Sequence, residues 1–356
     1  MAIDLSGGID RSREYVFARR PDNPEMRDSV SFWTVDDRGR IGLPRIGIEA
    51  VGANWDNHEL QINIAFPGGR AYRLRDGGPS LPPEGPDGKP TVLGAGGLVF
   101  RCVEPFDTWT MAYDGKAVQT SSADLVAGRT GGPLVDVAFH VEAVMAVPPW
   151  VQGALQHDAG DRIKNSVEGQ LMGGARYEQL FWASGAVTID GQTQDFTGSG
   201  LRIRRQGVRK LGEFWGHAWQ SAVFPSGKAF GYIAYPPRPD GKPTFNEGYI
   251  FTGDGDLVAA RVVHAPWLTT LQAIGEDVSL VLETANGTTR IEGETVFSTH
   301  DIHHIDNTFS VREMKKENPN FPALQQAGVR YRWDGEETYG MLERSNPIDK
   351  IDLGDS

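Results

Sequence analysis

The 356-residue chain sets 47 acidic residues against 35 basic ones, a formal net charge of -12, which argues against phosphate backbones and anionic lipid as partners. The length suits two domains, and 44 glycines and 22 prolines spread among apolar segments favour many short strands and turns over disorder. Cys102 is the one cysteine, so no intrachain disulfide can form, and a reducing, cytoplasmic compartment is expected.

The N-terminal Met-Ala-Ile-Asp-Leu-Ser-Gly-Gly lacks the basic and apolar regions of a secretory signal. Residues 58–72 then hold His58-x-x-Gln61 followed by Phe66-Pro-x-Gly69, Arg70, Ala71 and Tyr72. Residues 217–230 repeat it as His217-x-x-Gln220, Phe224-Pro-x-Gly227, Lys228, Ala229 and Phe230. A tryptophan precedes each copy, Trp55 and Trp215, and both copies continue into Pro-Asp-Gly-Lys-Pro-Thr at 86–91 and 239–244. Each returns to Gly-x-x-Phe, at Gly97–Phe100 and Gly248–Phe251. Self-similarity in a fixed order marks a duplicated unit. The Phe-Pro-x-Gly element reads as the turn of a hairpin. The first copy has one more residue between Gln and Phe, which predicts a bulge between Gln61 and Phe66.

Cys102 sits in a Val-Phe-Arg-Cys-Val strand and reads as a small core residue. The longest apolar run, 143–151, contains two prolines and is too short to span a bilayer. Strands are predicted over 135–147, 179–189, 257–263, 278–282, 288–296 and 329–333. Tight turns are predicted at Asp190-Gly191, around Asn286-Gly287 and at Asp334-Gly335. The best short helix is 321–326, with Gly328 as its C-cap. The expectation is an all-β protein of two tandem β-barrel or sandwich lobes related by duplication, 1–175 and 176–356.

A strand over 211–223 would place Glu213, Trp215, His217 and Trp219 on one face, a suitable lining for an apolar pocket. Packed indoles and a carbonyl-bound imidazole are the plainer reading. Glu247 shares its face with Tyr249 and other aromatics, where desolvation would keep a carboxyl protonated as a general acid. In 300–306 a strand would turn His300, His304 and Asp306 one way, and a helix would converge His300, His303 and His304; strand-like flanks disfavour the helical metal site, and no metal is expected. The catalytic candidates are therefore Glu213, His217, Glu247 and Asp306. The candidates for holding substrate are Trp215, Trp219, Tyr249, His58 and His304. The basic run Arg202–Lys210 is expected to pair with the excess carboxylates, with recognition of a ligand carboxylate or phosphate as the alternative. No Gly-x-Ser-x-Gly elbow occurs, which argues against an α/β-hydrolase.

Four segments together resemble the AttH-type, lipocalin-like superfamily that includes carotenoid 1,2-hydratases of the hydroxyneurosporene synthase kind. They are Ala183–Gly191, Gly198–Arg205, Phe214–Trp219, and Tyr331–Gly335 with Tyr339–Ser345. Where that family more usually has an Arg-Asp-His-Ser-Trp-Gly-like stretch, this chain has Arg204-Arg-Gln-Gly-Val-Arg209. The resemblance implies two lipocalin-like lobes, apolar and often isoprenoid substrates, and acid-initiated hydration, dehydration, isomerisation or cyclisation without a cofactor. The expected function is a hydro-lyase or isomerase for an unsaturated hydrophobic small molecule. The competing expectation is a carrier that only binds such a ligand. A homodimer is left open.

Overall fold

The computed structural model describes residues 3–353 except 166, 239 and 307. The first two residues of the N-terminal stretch and Pro239 of the second Pro-Asp-Gly-Lys-Pro-Thr lie outside the described residues. The chain is all-β, with two lobes of antiparallel strands and four short α-helices among the described residues. No helix is long and apolar enough to cross a membrane.

The first lobe contains β1 (Met26–Asp36), β2 (Gly42–Val51), β3 (Asn57–Ala65), β4 (Arg70–Pro79), β5 (Val92–Ala95), β6 (Leu98–Glu104), β7 (Thr108–Ser121), β8 (Leu134–Met145), β9 (Trp150–Val151), β10 (Ala175–Ile189) and β11 (Gln192–Val208). They form one sheet in the order β4-β3-β2-β1-β11-β10-β8-β7-β6-β5, and β4 pairs with β7, which brings the sheet back on itself. The second lobe is a closed barrel of β12 (His217–Val223), β13 (Ala229–Ala234), β14 (Asn246–Phe251), β15 (Val258–His264), β16 (Leu280–Thr284), β17 (Gly287–Asp301), β18 (Ala323–Trp333) and β19 (Glu336–Asn346). Helix α1 (Ser122–Val126) follows β7, α2 (His157–Asn165) and α3 (Val167–Met172) precede β10, and α4 (Phe309–Glu317) lies between β17 and β18.

Alternation explains most strands. In β8, Val137, Phe139, Val141, Ala143 and Met145 point into the first core while the intervening residues face outward. By contrast, β12 is buried throughout. Its Ala218 and Ala222 face the second core, and its Trp219 and Val223 join a third apolar layer between the lobes. Trp33, Leu201 and Ile203 of the first lobe complete that layer, with Trp33 and Trp219 packed edge to face at 4.8 Å. The lobes are therefore joined by a core of their own.

The repeated hairpins are β3–β4 and β12–β13. Their turns share one pattern: Phe66 donates its N–H to the Arg70 carbonyl at 2.9 Å, and Phe224 to the Lys228 carbonyl at 2.8 Å. Gly69 and Gly227 have φ of 90° and 87°, which explains the glycine in both copies. The Asp-Gly turns also form, with φ of 47° and 76° at Asp190 and Gly191, and 48° and 77° at Asp334 and Gly335.

Four expectations are corrected. β10 and β11 belong to the first sheet, so the chain changes lobe across 209–216 rather than at 175–176. The expected strand over 211–223 starts only at His217, because 209–216 is the irregular connection between lobes. The segment 321–326 is not a helix but the approach to β18 and its first residues, paired to β17 and β19. The pairing of β3 with β4 runs unbroken, and the extra residue lies on β2: five steps from Gly42 to Gly47 oppose four from Ala65 to Gln61. Arg45 absorbs it with a φ of 68°.

Candidate active site

Where the lobes meet they enclose a chamber of about 170 Å³ that adjoins a smaller one of about 40 Å³. A cavity of about 150 Å³ holds a benzene ring. The first lobe contributes Ser29 and Ser31 of β1, Arg45 and Glu49 of β2, Glu59 and Gln61 of β3, and Arg75 of β4. Arg205 of β11 and Arg209 and Phe214 of the connection complete that side, and the second lobe supplies His217, Glu343, Asp301, His304 and α4. Part of its lining is apolar, including Leu60, Leu211, Phe214, Val311, Met314 and Phe321, and the rest is polar or charged.

Glu59 is the acid the sequence reading missed. It is only 8% exposed, and its Oε1 accepts the Ser310 N–H at 2.5 Å. Burial, reinforced by neighbouring Glu49, pushes its carboxyl up to about 7. Glu49 takes the opposite course. Burial alone would raise it, but Arg27 at 2.8 Å, with Arg209 and Arg205 nearby, holds it down at about 2. Two adjacent carboxyls thus titrate far apart, one at about 7 and one at about 2, the arrangement that separates an acid from its counter-charge.

His217 reaches the cavity as expected. Its Nδ1 lies 2.7 Å from Ser345 Oγ, which also accepts the His217 backbone N–H at 3.1 Å. Its Nε2 is 3.3 Å from Glu343 Oε1. Burial lowers the imidazole pKa despite the opposing pull of Glu343, so the ring is neutral at pH 7. Glu343 is fixed by Arg45 at 3.0 and 3.2 Å and by Gln326 at 2.7 Å. Burial would raise this carboxyl, but Arg45 and His217 hold it well below the usual range. Ser345 is fully buried and lines neither chamber, so it orients the imidazole rather than acting as a nucleophile.

The other candidates divide. His304 lines the chamber, but its Nε2 lies 2.9 Å from the Pro322 carbonyl and its Nδ1 3.6 Å from Asp301. Burial lowers its pKa, and Asp301 more than reverses this. Asp306 lines the chamber half-buried and accepts the Thr308 N–H and hydroxyl at 3.1 and 2.8 Å, just before α4. Trp219 lines the smaller chamber and donates Nε1–H to Glu178 at 2.9 Å.

The remaining candidates lie elsewhere. Glu213 is exposed on the connection between lobes and lines neither chamber. Glu247 is fully buried, and its carboxylate accepts four hydrogen bonds, from Trp150 Nε1 (2.9 Å) and the N–H groups of Gly153 (2.6 Å), Leu155 (3.1 Å) and Gln156 (2.9 Å). It anchors the loop before α2 instead of facing a ligand. Tyr249 packs against Trp150 in the inter-lobe core. Trp215 donates Nε1–H to the Pro236 carbonyl at 3.0 Å and stacks with Arg238. His58 is a core residue bonded to the Gly94 carbonyl at 3.0 Å. Of the histidines weighed as metal ligands, His300 is buried and His303 exposed, and no cluster fit for a metal occurs among the described residues. Cys102 is a buried thiol pushed up to about 12 by burial, as its core reading requires.

The basic run divides by strand parity. Arg202 pairs with Glu14 at 2.7 Å and Arg204 pairs with Asp28, both buried on one face of β11. Arg205 faces the other way, into both chambers.

No curated protein sequence matches this chain. A crystal structure of an AttH-like protein from Nitrosomonas europaea superposes with a TM-score of 0.55 at 12% identity, over 94% of this chain and 99% of that one. CghA in complex with Sch210972 superposes with a TM-score of 0.52 at 12% identity, over 93% and 90% of the two chains. CghA alone gives 0.50 at 10% identity, over 94% and 90%. The AttH-like, lipocalin-like fold expected from the sequence is the fold observed. Residues 13–348 match one family model, and the chain belongs to that family, described as a domain of unknown function, DUF7064.

Proposed function

We propose that this protein is a cofactor-independent hydro-lyase or isomerase for an unsaturated small molecule held between the lobes. The observation that carries the reading is the buried pair of chemically opposed groups on one cavity: Glu59, protonated up to about pH 7, and neutral His217 backed by ionised Glu343. Glu59 gives its proton to a departing hydroxyl or to an alkene carbon. His217, held between Ser345 and Glu343, takes up a proton, and Glu343 stabilises the imidazolium. The net change is gain or loss of one water, or movement of a double bond, with no redox step. The apolar part of the lining suits the hydrocarbon part of the substrate, as an isoprenoid or similar skeleton would require, and the charged side chains suit an oxygen function. CghA, of similar fold, is crystallised with the small molecule Sch210972, which supports a ligand-holding role for this architecture.

The test is isotope exchange. A panel of conjugated alkenes and β-hydroxy carbonyl compounds is incubated with the protein in D₂O and followed by mass spectrometry. Wild type incorporates deuterium or changes mass by one water; Glu59→Gln and His217→Asn lose that turnover by about 10²–10⁴-fold, the usual contribution of a general acid or base. Undiminished turnover in both variants contradicts the reading. A co-purified ligand with no exchange favours the carrier instead.

A further inference from the structure

Arg205 stands apart from the other buried arginines of the first lobe. It is 6% exposed and forms no ion pair among the described residues; its Nε has no hydrogen-bond partner, as in Arg176, Arg202 and Arg204, but their terminal nitrogens are paired. Its neighbours Arg176, Arg202 and Arg204 are each paired, with Glu178, Glu14 and Asp28. Among the described residues no carboxylate pairs with Arg205. Arg209 beside it spends its Nε on the Leu171 carbonyl at 2.9 Å and likewise has no carboxylate partner among those residues. Glu49 attracts both but is itself bonded to Arg27 at 2.8 Å.

Both arginines line both chambers. In the smaller chamber Arg45, Arg176, Arg205 and Arg209 surround one carboxylate, Glu343, which is already bound by Arg45. A buried guanidinium without a counter-ion is unfavourable in the empty protein, and burial with neighbouring arginines weakens the hold of Arg205 on its proton. Such a group is retained at a cost that an incoming anion would offset. Guanidinium forks match the planar oxygens of a carboxylate or the oxygens of a phosphate.

We propose that the ligand of this site carries an anionic head, a carboxylate or a phosphate monoester, seated on Arg205 and Arg209 with its unsaturated portion in the larger chamber. This inference rests on the acid–base reading for the location of the site, but its test does not depend on turnover. Binding to the intact protein is measured by calorimetry and thermal shift with benzoate, phenyl phosphate and the neutral isostere benzamide. Benzoate or phenyl phosphate raises the melting temperature and benzamide does not; whichever anion binds more tightly identifies the head group. Arg205→Met and Arg209→Met each weaken anion binding at least about tenfold, as expected for a lost charge-assisted bond. Ligand-free Arg205→Met melts close to wild type, because the guanidinium forms no ion pair and only a longer-range attraction to Glu49, already paired with Arg27, is lost. Equal binding of benzamide, or anion binding undiminished in both variants, overturns the proposal. Anion binding without isotope exchange keeps this inference and removes the acid–base one; exchange without anion binding does the reverse.

Discussion

Single side chains here owe their roles to their partners more than to their type. Glu247 and Glu59 are both buried glutamates with raised pKa values, and burial is the main cause in each. They differ in what surrounds the oxygens. Glu247 accepts four hydrogen bonds from the protein, so no lone pair is left for a substrate. Among the described residues Glu59 is hydrogen-bonded by Ser310 alone, through its N–H and its hydroxyl, and it lines the cavity. Glu247→Gln places an amide N–H₂ against existing donors and should cost about 2–4 kcal/mol in urea denaturation, while leaving exchange per folded molecule unchanged. Undiminished stability with lost exchange would instead restore Glu247 as the acid.

At the scale of elements, the repeat was legible and its alignment was not. Matching the copies on histidine pairs His58 with His217, yet His58 is bonded into the first core. The two turns are superposable in their hydrogen bonds, and counting back seven residues from Phe66 and Phe224 gives Glu59 and His217. Equivalent strand positions thus bring the proposed acid and the proposed base to one cavity. The one-residue difference between copies held the signal: counted from the turn, β3 carries no insertion and the histidines are one position out of step, while the bulge belongs to β2. Strand parity, which the sequence reading did not apply to the basic run, separates Arg202 and Arg204 from Arg205. The β2 bulge also sets the electrostatics. Burial is the main cause of the lowered His217 pKa; Arg45, at the bulge, holds Glu343 down and adds a smaller push against a proton on His217. Arg45→Gly keeps the positive φ without strain, removes the charge, and should raise the His217 pKa when the imidazole is titrated by NMR. An unchanged or lower value would place the control of His217 elsewhere.

At the scale of the molecule, function depends on the joint. The all-β lobes could be read from alternating strands and Asp-Gly turns, because those patterns are local. The cavity could not, because its walls come from β1 to β4, the connection after β11, and a loop and helix more than two hundred residues later. Contacts across the joint hold those parts in place: Asn63 donates to Gln326 at 2.9 Å, Ser122 to the Ser298 carbonyl at 2.6 Å, and Arg73 pairs with Asp301. The segment that begins α4 reaches Glu59 through Ser310, whose N–H Glu59 accepts at 2.5 Å. Its folded-state pKa, about 7, lies above the ordinary 4.5, so the folded state holds the proton longer than the unfolded chain does. The stability this provides is full below about pH 4.5 and is lost as pH rises towards 7. The same titration should set the alkaline limb of activity. The most direct test is infrared difference spectroscopy of the carboxyl C=O band across pH, in wild type and Glu59→Gln. The account predicts a protonated carboxyl that titrates near pH 7 and is missing from the variant. A band that titrates in the ordinary carboxylate range, or one that persists in Glu59→Gln, would contradict it.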